Sequence, residues 1–148
     1  MQVILDADGC PVVNITIKLC AQYGVACTIV CDTAHSFHNL DVPVITVDKG
    51  SDSADFAIAN RIQAADIVIT QDYGLASMCL AKKASVLHQD GWEYTTDNID
   101  ALLLQRHESR KLRNAGGRMK GPKKRQPSQD QAFLSAFEKL LQGYASGG

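Results

Sequence analysis

The chain has 148 residues, of which 45% are hydrophobic and 21% charged, ordinary globular values that exclude a disordered, collagen-like or mucin-like chain and leave enough length for a sizeable core. No apolar run approaches the ~20 residues needed to span a bilayer, and the start, MQVILDADG, lacks the basic n-region of a secretory signal. The formal net charge of −1 hides an asymmetry: residues 1–105 carry 5 Lys/Arg against 13 Asp/Glu, and residues 106–125 carry 9 Lys/Arg against one Glu.

An acidic body with a basic arm suits cations at one part and phosphates at the other. The five cysteines, Cys10, Cys20, Cys27, Cys31 and Cys79, are odd in number and irregular in spacing. They make no disulfide framework, and with no export signal they point to a reducing cytoplasm.

In chain order, Val3-Ile4-Leu5 reads as a short buried strand ending at Asp6. Pro11 suits the first turn of a helix that continues to about Tyr23 and stops at Gly24. Ala26 to Val30 is rich in β-branched residues and reads as a second strand, residues 32–42 as a polar loop, and Val44 to Val47 as a third strand. Ser51 to Gln63 reads as a helix with Phe56, Ile58, Ala59 and Ile62 at helical spacing. Ile67 to Thr70 follows as a strand, Tyr73 to Lys83 as a helix, and Ser85 to Leu87 as a further strand. Thr96 to about Asn114 predicts a long helix that turns basic after Leu104. Ala115 to Pro127, with three glycines and two prolines among its cations, predicts a mobile loop. A last helix is expected over about 128–142, opened by a Ser128-x-x-Gln131 capping box.

Strand–helix alternation with near-continuous apolar strands predicts a three-layer α/β fold. Its central, mainly parallel sheet has about 4–5 strands, with helices on both faces. One domain over 1–148 is expected, with the basic helix and loop at about 106–127 as its appendage.

In such sheets ligands bind beyond the carboxyl ends of the strands. Three predicted strand ends carry aspartates: Asp6 and Asp8 after the first, Asp52 and Asp55 after the third, and Asp72 after the fourth. Like charges held close are costly, so five carboxylates on one patch call for a cation. Hard oxygen donors suit Mg²⁺ or Mn²⁺, and a metal site of that kind serves phosphodiester hydrolysis. Each aspartate also has a plainer reading. Asp52 and Asp72 are well placed as helix N-caps, Asp55 as a first-turn acid and Asp6 as an Asx-turn residue.

The other signals are weaker. Cys27 and Cys31 read as buried small hydrophobes, since no second Cys/His pair follows at zinc-finger spacing. Cys10 lies beside carboxylates that raise a thiol pKa, so it reads as packing rather than a nucleophile. His35, His38, His88 and His107 read as solvated or structural. The basic run comprises Arg106, Arg110, Lys111, Arg113, Arg118, Lys120, Lys123, Lys124 and Arg125. Arg106, Arg110 and Arg113 share one helix face. The natural functional reading is phosphate binding, against an arm that folds back on the acidic body. Few aromatics flank the run, so base stacking is not indicated by sequence.

The segments VILDADGCPV, DKGSDSADFAIANRI, ADIVITQDYGLA and GWEYTTDNID, with the closing SQDQAFL helix, resemble the bacterial YaiI/YqxD family, part of a PIN-like nuclease group. The resemblance covers almost the whole chain. It implies a PIN-like α/β fold with an acidic metal pocket built from Asp6, Asp8, Asp52, Asp55 and Asp72. Gly9 stands where the family's opening run has alanine, and the carboxylates are unaffected.

The leading expectation is a metal-dependent ribonuclease-like hydrolase with Asp6 and Asp72 as catalytic metal ligands. Asp8, Asp52 and Asp55 support them, with Mg²⁺ or Mn²⁺ as cofactor, RNA as partner and no membrane. Two rivals stand beside it. One is a non-catalytic RNA-binding or regulatory protein of the same fold. The other is an aspartyl phosphatase of haloacid-dehalogenase type, which VILDADG resembles with Asp6 as nucleophile and Asp8 as acid/base. For the phosphatase the later motifs fall in the wrong order.

Overall fold

Six strands, β1 (Gln2–Asp6), β2 (Ala26–Asp32), β3 (Val44–Val47), β4 (Ile67–Ile69), β5 (Ser85–Leu87) and β6 (Glu93–Tyr94), form one sheet in the order β3-β2-β1-β4-β5-β6. The computed structural model describes residues 1–32, 40–48, 53–114 and 124–146. Strands β1 to β5 are parallel, and β6 runs antiparallel to β5. The two-residue β6 exceeds the expected strand count. It is too short to show an alternation, and it exists because the turn after β5 folds it back onto Val86 and Leu87.

Successive strand residues point to opposite faces, and both faces are covered. Val3, Leu5, Ile29, Ile67 and Ile69 pack under α1 (Val13–Tyr23) and α5 (Pro127–Ser146), whose Leu19, Phe133, Phe137 and Leu141 are buried there. Ile4, Val30, Val68 and Val86 pack under α2 (Ser53–Ala59), α3 (Tyr73–Ala81) and α4 (Ile99–Asn114) through Ile58, Leu75, Cys79 and Ile99. The three-layer α/β architecture expected from the alternation is therefore the one observed.

Local signals set most boundaries. Helix α1 ends at Gly24, whose φ of 63° lets its N–H close back on Ala21 O and Cys20 O. It starts two residues after Pro11, which lies in the preceding turn. Helix α2 is shorter than predicted. Phe56 is 58% exposed, whereas Ile58, Ala59 and Ile62 are buried. Helix α4 begins at Ile99, after a reciprocal box in which Thr95 N donates to Asn98 Oδ1 and Asn98 N donates to Thr95 Oγ1. Helix α5 starts at Pro127. Its opening bonds come from Gln126 and Gln129, with Gln126 N donating to Gln129 Oε1, rather than from the Ser128 box.

The chain steps from β1 outward to β2 and β3, then crosses back to place β4 on the other side of β1. The order reverses between β1 and β4. In a doubly wound sheet a crevice opens at the carboxyl ends of such a strand pair.

Candidate functional site

Register decides what stands at that crevice. Leu5 pairs with Ile69, so the next residues, Asp6 and Thr70, are neighbours where the strands end. The buried Thr70 hydroxyl donates to Asp6 Oδ2 at 2.9 Å and accepts the Asp72 N–H at 3.0 Å. Asp72 then caps α3, its Oδ1 accepting from Gly74 N at 2.8 Å and Leu75 N at 3.2 Å. The capping reading of Asp72 is correct, and it places the carboxylate beside Asp6. Thr70 ties the two strand-end acids together, a role that only the strand register reveals.

Asp8 lies on the turn beyond β1, where both of its oxygens accept the Asp32 N–H at the end of β2, at 3.2 and 3.0 Å. Asp32 is thus a further acid at these strand ends that the sequence reading did not single out. Gly9 makes the turn with φ 69°, and a Cβ there would meet Gln71 Nε2 at 3.3 Å.

Burial pushes the Asp6 carboxyl up to about 6; the Thr70 bond pulls it back in part, and the charges of Asp8 and Asp72 add to the rise. Cys10 rises to about 11, chiefly by burial, with Asp6 adding to it. Carboxylates do act on this thiol in the expected direction, but burial outweighs them. Cys79 rises to about 12 by burial, and both Asp55 and Asp6 add to that rise. Asp55 stands on the first turn of α2, which packs on the same face of the sheet as α3. All five cysteines are free thiols.

Asp52, His35 and His38 lie outside the described residues. Among the described residues no three His, Cys, Asp or Glu side chains are arranged to hold a metal ion. The donor chemistry fits a hard cation nonetheless. Asp6 is a half-buried carboxyl whose charge is opposed by two further acids, and Mg²⁺ is commonly held by one or two carboxylates together with waters and substrate phosphates.

Of the basic run, Arg106, Arg110, Lys111 and Arg113 fall on α4, where Lys111 is exposed; Arg118, Lys120 and Lys123 lie outside the described residues. Lys124 is exposed. Arg125 differs. Its guanidinium forks onto Asp130 Oδ1 at 2.8 Å, Asp90 Oδ1 at 2.7 Å and Gln89 O at 2.8 Å. It ties the segment before α5 to the β5–β6 turn, so its first role is structural.

The sheet order and the acids at the strand ends define a doubly wound α/β protein with carboxylates at its switch point. The family model described as "Uncharacterized BCR, YaiI/YqxD family" matches residues 4–143. A UPF0178 protein of Exiguobacterium sibiricum is 50% identical over 95% of this chain and 96% of its own length. One of Ruminiclostridium cellulolyticum is 44% identical over 99% and 96%. The chain belongs to the YaiI/YqxD family. Among solved structures, a mutant of Rae1 (YacP) from Bacillus subtilis aligns over 99% of both chains at 18% identity and a TM-score of 0.43. Among the described residues no helix is long and apolar enough to cross a membrane.

Proposed function

We propose that this protein is a metal-dependent phosphodiester hydrolase of PIN-like type acting on RNA, with Asp6 and Asp72 as the central carboxylates. The observation that carries the reading is the Asp6–Thr70–Asp72 bridge at the point where the strand order reverses.

Asp6 and Asp72 would hold Mg²⁺ or Mn²⁺, with Asp8, Asp55 and Asp52 in support. When bound, the ion supplies water activation and neutralises charge at the phosphate. Thr70 fixes the Asp6 carboxylate by donating to Oδ2, so the acid is oriented before substrate arrives. The α3 cap holds Asp72 by Oδ1. Because the crevice is anionic, the chain needs cations elsewhere to receive a polyphosphate strand. The arm from Arg106 to Lys124 supplies them.

Thermal melts test the site directly. Binding to the folded state alone stabilises by roughly 2.7 kcal/mol at a hundredfold excess over Kd. Millimolar Mn²⁺ should raise Tm over EDTA in the wild type and much less in Asp6→Asn. Equal melts in Mn²⁺ and EDTA for the wild type would remove the metal site from the unliganded protein.

A further inference from the structure

We propose that the turn joining β5 to β6 is a stacking shelf for a nucleobase of single-stranded RNA, with the indole of Trp92 as its surface; this rests on the reading of the crevice as an RNA-cleaving site. Three aromatic rings of residues 88–94 and one from α3, Tyr73, meet here. His88 stacks on Trp92 with centroids 4.3 Å apart and planes 12° from parallel. Tyr94 approaches Trp92 edge-on at 4.6 Å and lies 6.0 Å from His88. Those three separations put His88 and Tyr94 about a right angle apart as seen from Trp92. The two rings therefore cover one face and one edge of the indole, and neither covers its second face. Trp92 is only half-buried.

The shelf is rigid, as a stacking surface must be to bind without a large ordering cost. Gly91 has φ 93°, and a Cβ there would come within 2.5 Å of the Ala132 backbone, so the turn lies tight against α5. His88 N donates to Trp92 O at 2.9 Å. Asp90 is held by Arg125 at 2.7 Å and by Gln129 Nε2 at 3.2 Å. His88 Nδ1 accepts the Asp90 N–H, which leaves the ring proton on Nε2 and a neutral imidazole against the indole.

Position ties the shelf to the crevice. Tyr73 follows Asp72 directly and lies 5.9 Å from Tyr94, which in turn abuts Trp92. The described end of the basic run is bonded to the same turn, since Arg125 also holds Gln89 O. The aromatic cluster thus runs from the residue after Asp72, through the buried Tyr94, to Trp92, and a strand with a base on Trp92 would lie along it. Every base offers a π-face, so the shelf favours single strands with little sequence preference.

Trp92 is the chain's one tryptophan, so intrinsic emission reports the shelf alone. The full chain in EDTA, where cleavage is stopped, is titrated with a short oligouridylate, an abasic oligomer of equal length, and inorganic polyphosphate. Saturable quenching by oligouridylate alone supports the shelf. Trp92→Ala should weaken oligouridylate binding, read by anisotropy, roughly 5- to 150-fold, and Trp92→Phe less. Equal quenching by the abasic oligomer, or unchanged affinity in Trp92→Ala, overturns it. If Trp92→Ala does not fold, Trp92→Phe and the wild-type titration still decide. Failure of cleavage with metal present would strike the nuclease reading and leave the quenching result standing.

Discussion

Thr70, at the end of one strand, donates its hydroxyl to Asp6 Oδ2 at the end of the neighbouring strand, 2.9 Å away. Thr70 Oγ1 also accepts the Asp72 N–H. Thr70→Val keeps the shape and removes both bonds. Leaving the Asp72 N–H without that acceptor should cost about 1–3 kcal/mol, measured by urea unfolding, and RNA cleavage should fall with it. The Asp6 carboxyl, which the Thr70 bond holds down, should titrate above its value of about 6 in carbon NMR. An unshifted Asp6 would show that Thr70 does not govern that acid.

The Asp6 carboxyl titrates near 6 in the folded chain, against about 3.9 when unfolded. The folded state therefore holds this proton more tightly, and the stability it contributes at low pH is lost as pH rises from about 4 to about 6. Without metal, Asp6→Asn should melt at or above the wild type at about pH 8, with the gap narrowing toward about pH 4. Each kcal/mol relieved corresponds to roughly 2–4 °C. Thermal melts in EDTA across that range check the sign.

Gly91 cannot take a side chain without moving α5, because its added Cβ would lie 2.5 Å from Ala132 C and O at φ 93°. Gly91→Ala should destabilise by about 2 kcal/mol or more, read as a lower urea midpoint with an unchanged slope. Gly24 makes a contrast: its φ is 63°, but nothing lies within 4 Å of its added Cβ, so Gly24→Asn should be much milder.

The two described cations before α5 should separate cleanly. Arg125→Gln breaks contacts to Asp90, Asp130 and Gln89 and should cost about 1–2 kcal/mol of stability. Lys124→Gln, at an exposed position, should stay within about 0.5 kcal/mol. Binding should divide the other way. If the arm neutralises about four to six phosphates, log K falls against log salt with a slope of roughly −3 to −4. Replacing Lys120, Lys123 and Lys124 with glutamine should flatten it. An unchanged slope would remove the arm from the RNA interface.

The five parallel strands and their connecting helices were legible because each signal is local: β-branched runs for β1 to β4, Asp72 before α3, Gly24 after α1. What was not legible depends on distant pairing. Thr70 meets Asp6 only because Leu5 is in register with Ile69. Asp32 joins the acids only because its N–H meets Asp8 across the sheet. Arg125 is indistinguishable from its basic neighbours until Asp90, 35 residues earlier, is seen beneath it. The aromatic rim escaped the sequence reading for the same reason, since Tyr73 and Tyr94 come from different elements. Helix α2 was over-extended because Ile62, buried beyond the helix end at Ala59, keeps helical spacing with Ile58, while Phe56, read into the same stripe, is exposed.

Cleavage of a mixed RNA pool by wild type and Asp72→Asn, in Mg²⁺ or Mn²⁺ and in EDTA, tests the central claim most directly. Asparagine preserves the α3 cap and removes the charge, so the variant should fold. The account predicts metal-dependent cleavage by the wild type, none in EDTA, and none by Asp72→Asn. A wild type that leaves the pool intact with metal, or an Asp72→Asn variant that cleaves at the wild-type rate, would contradict it.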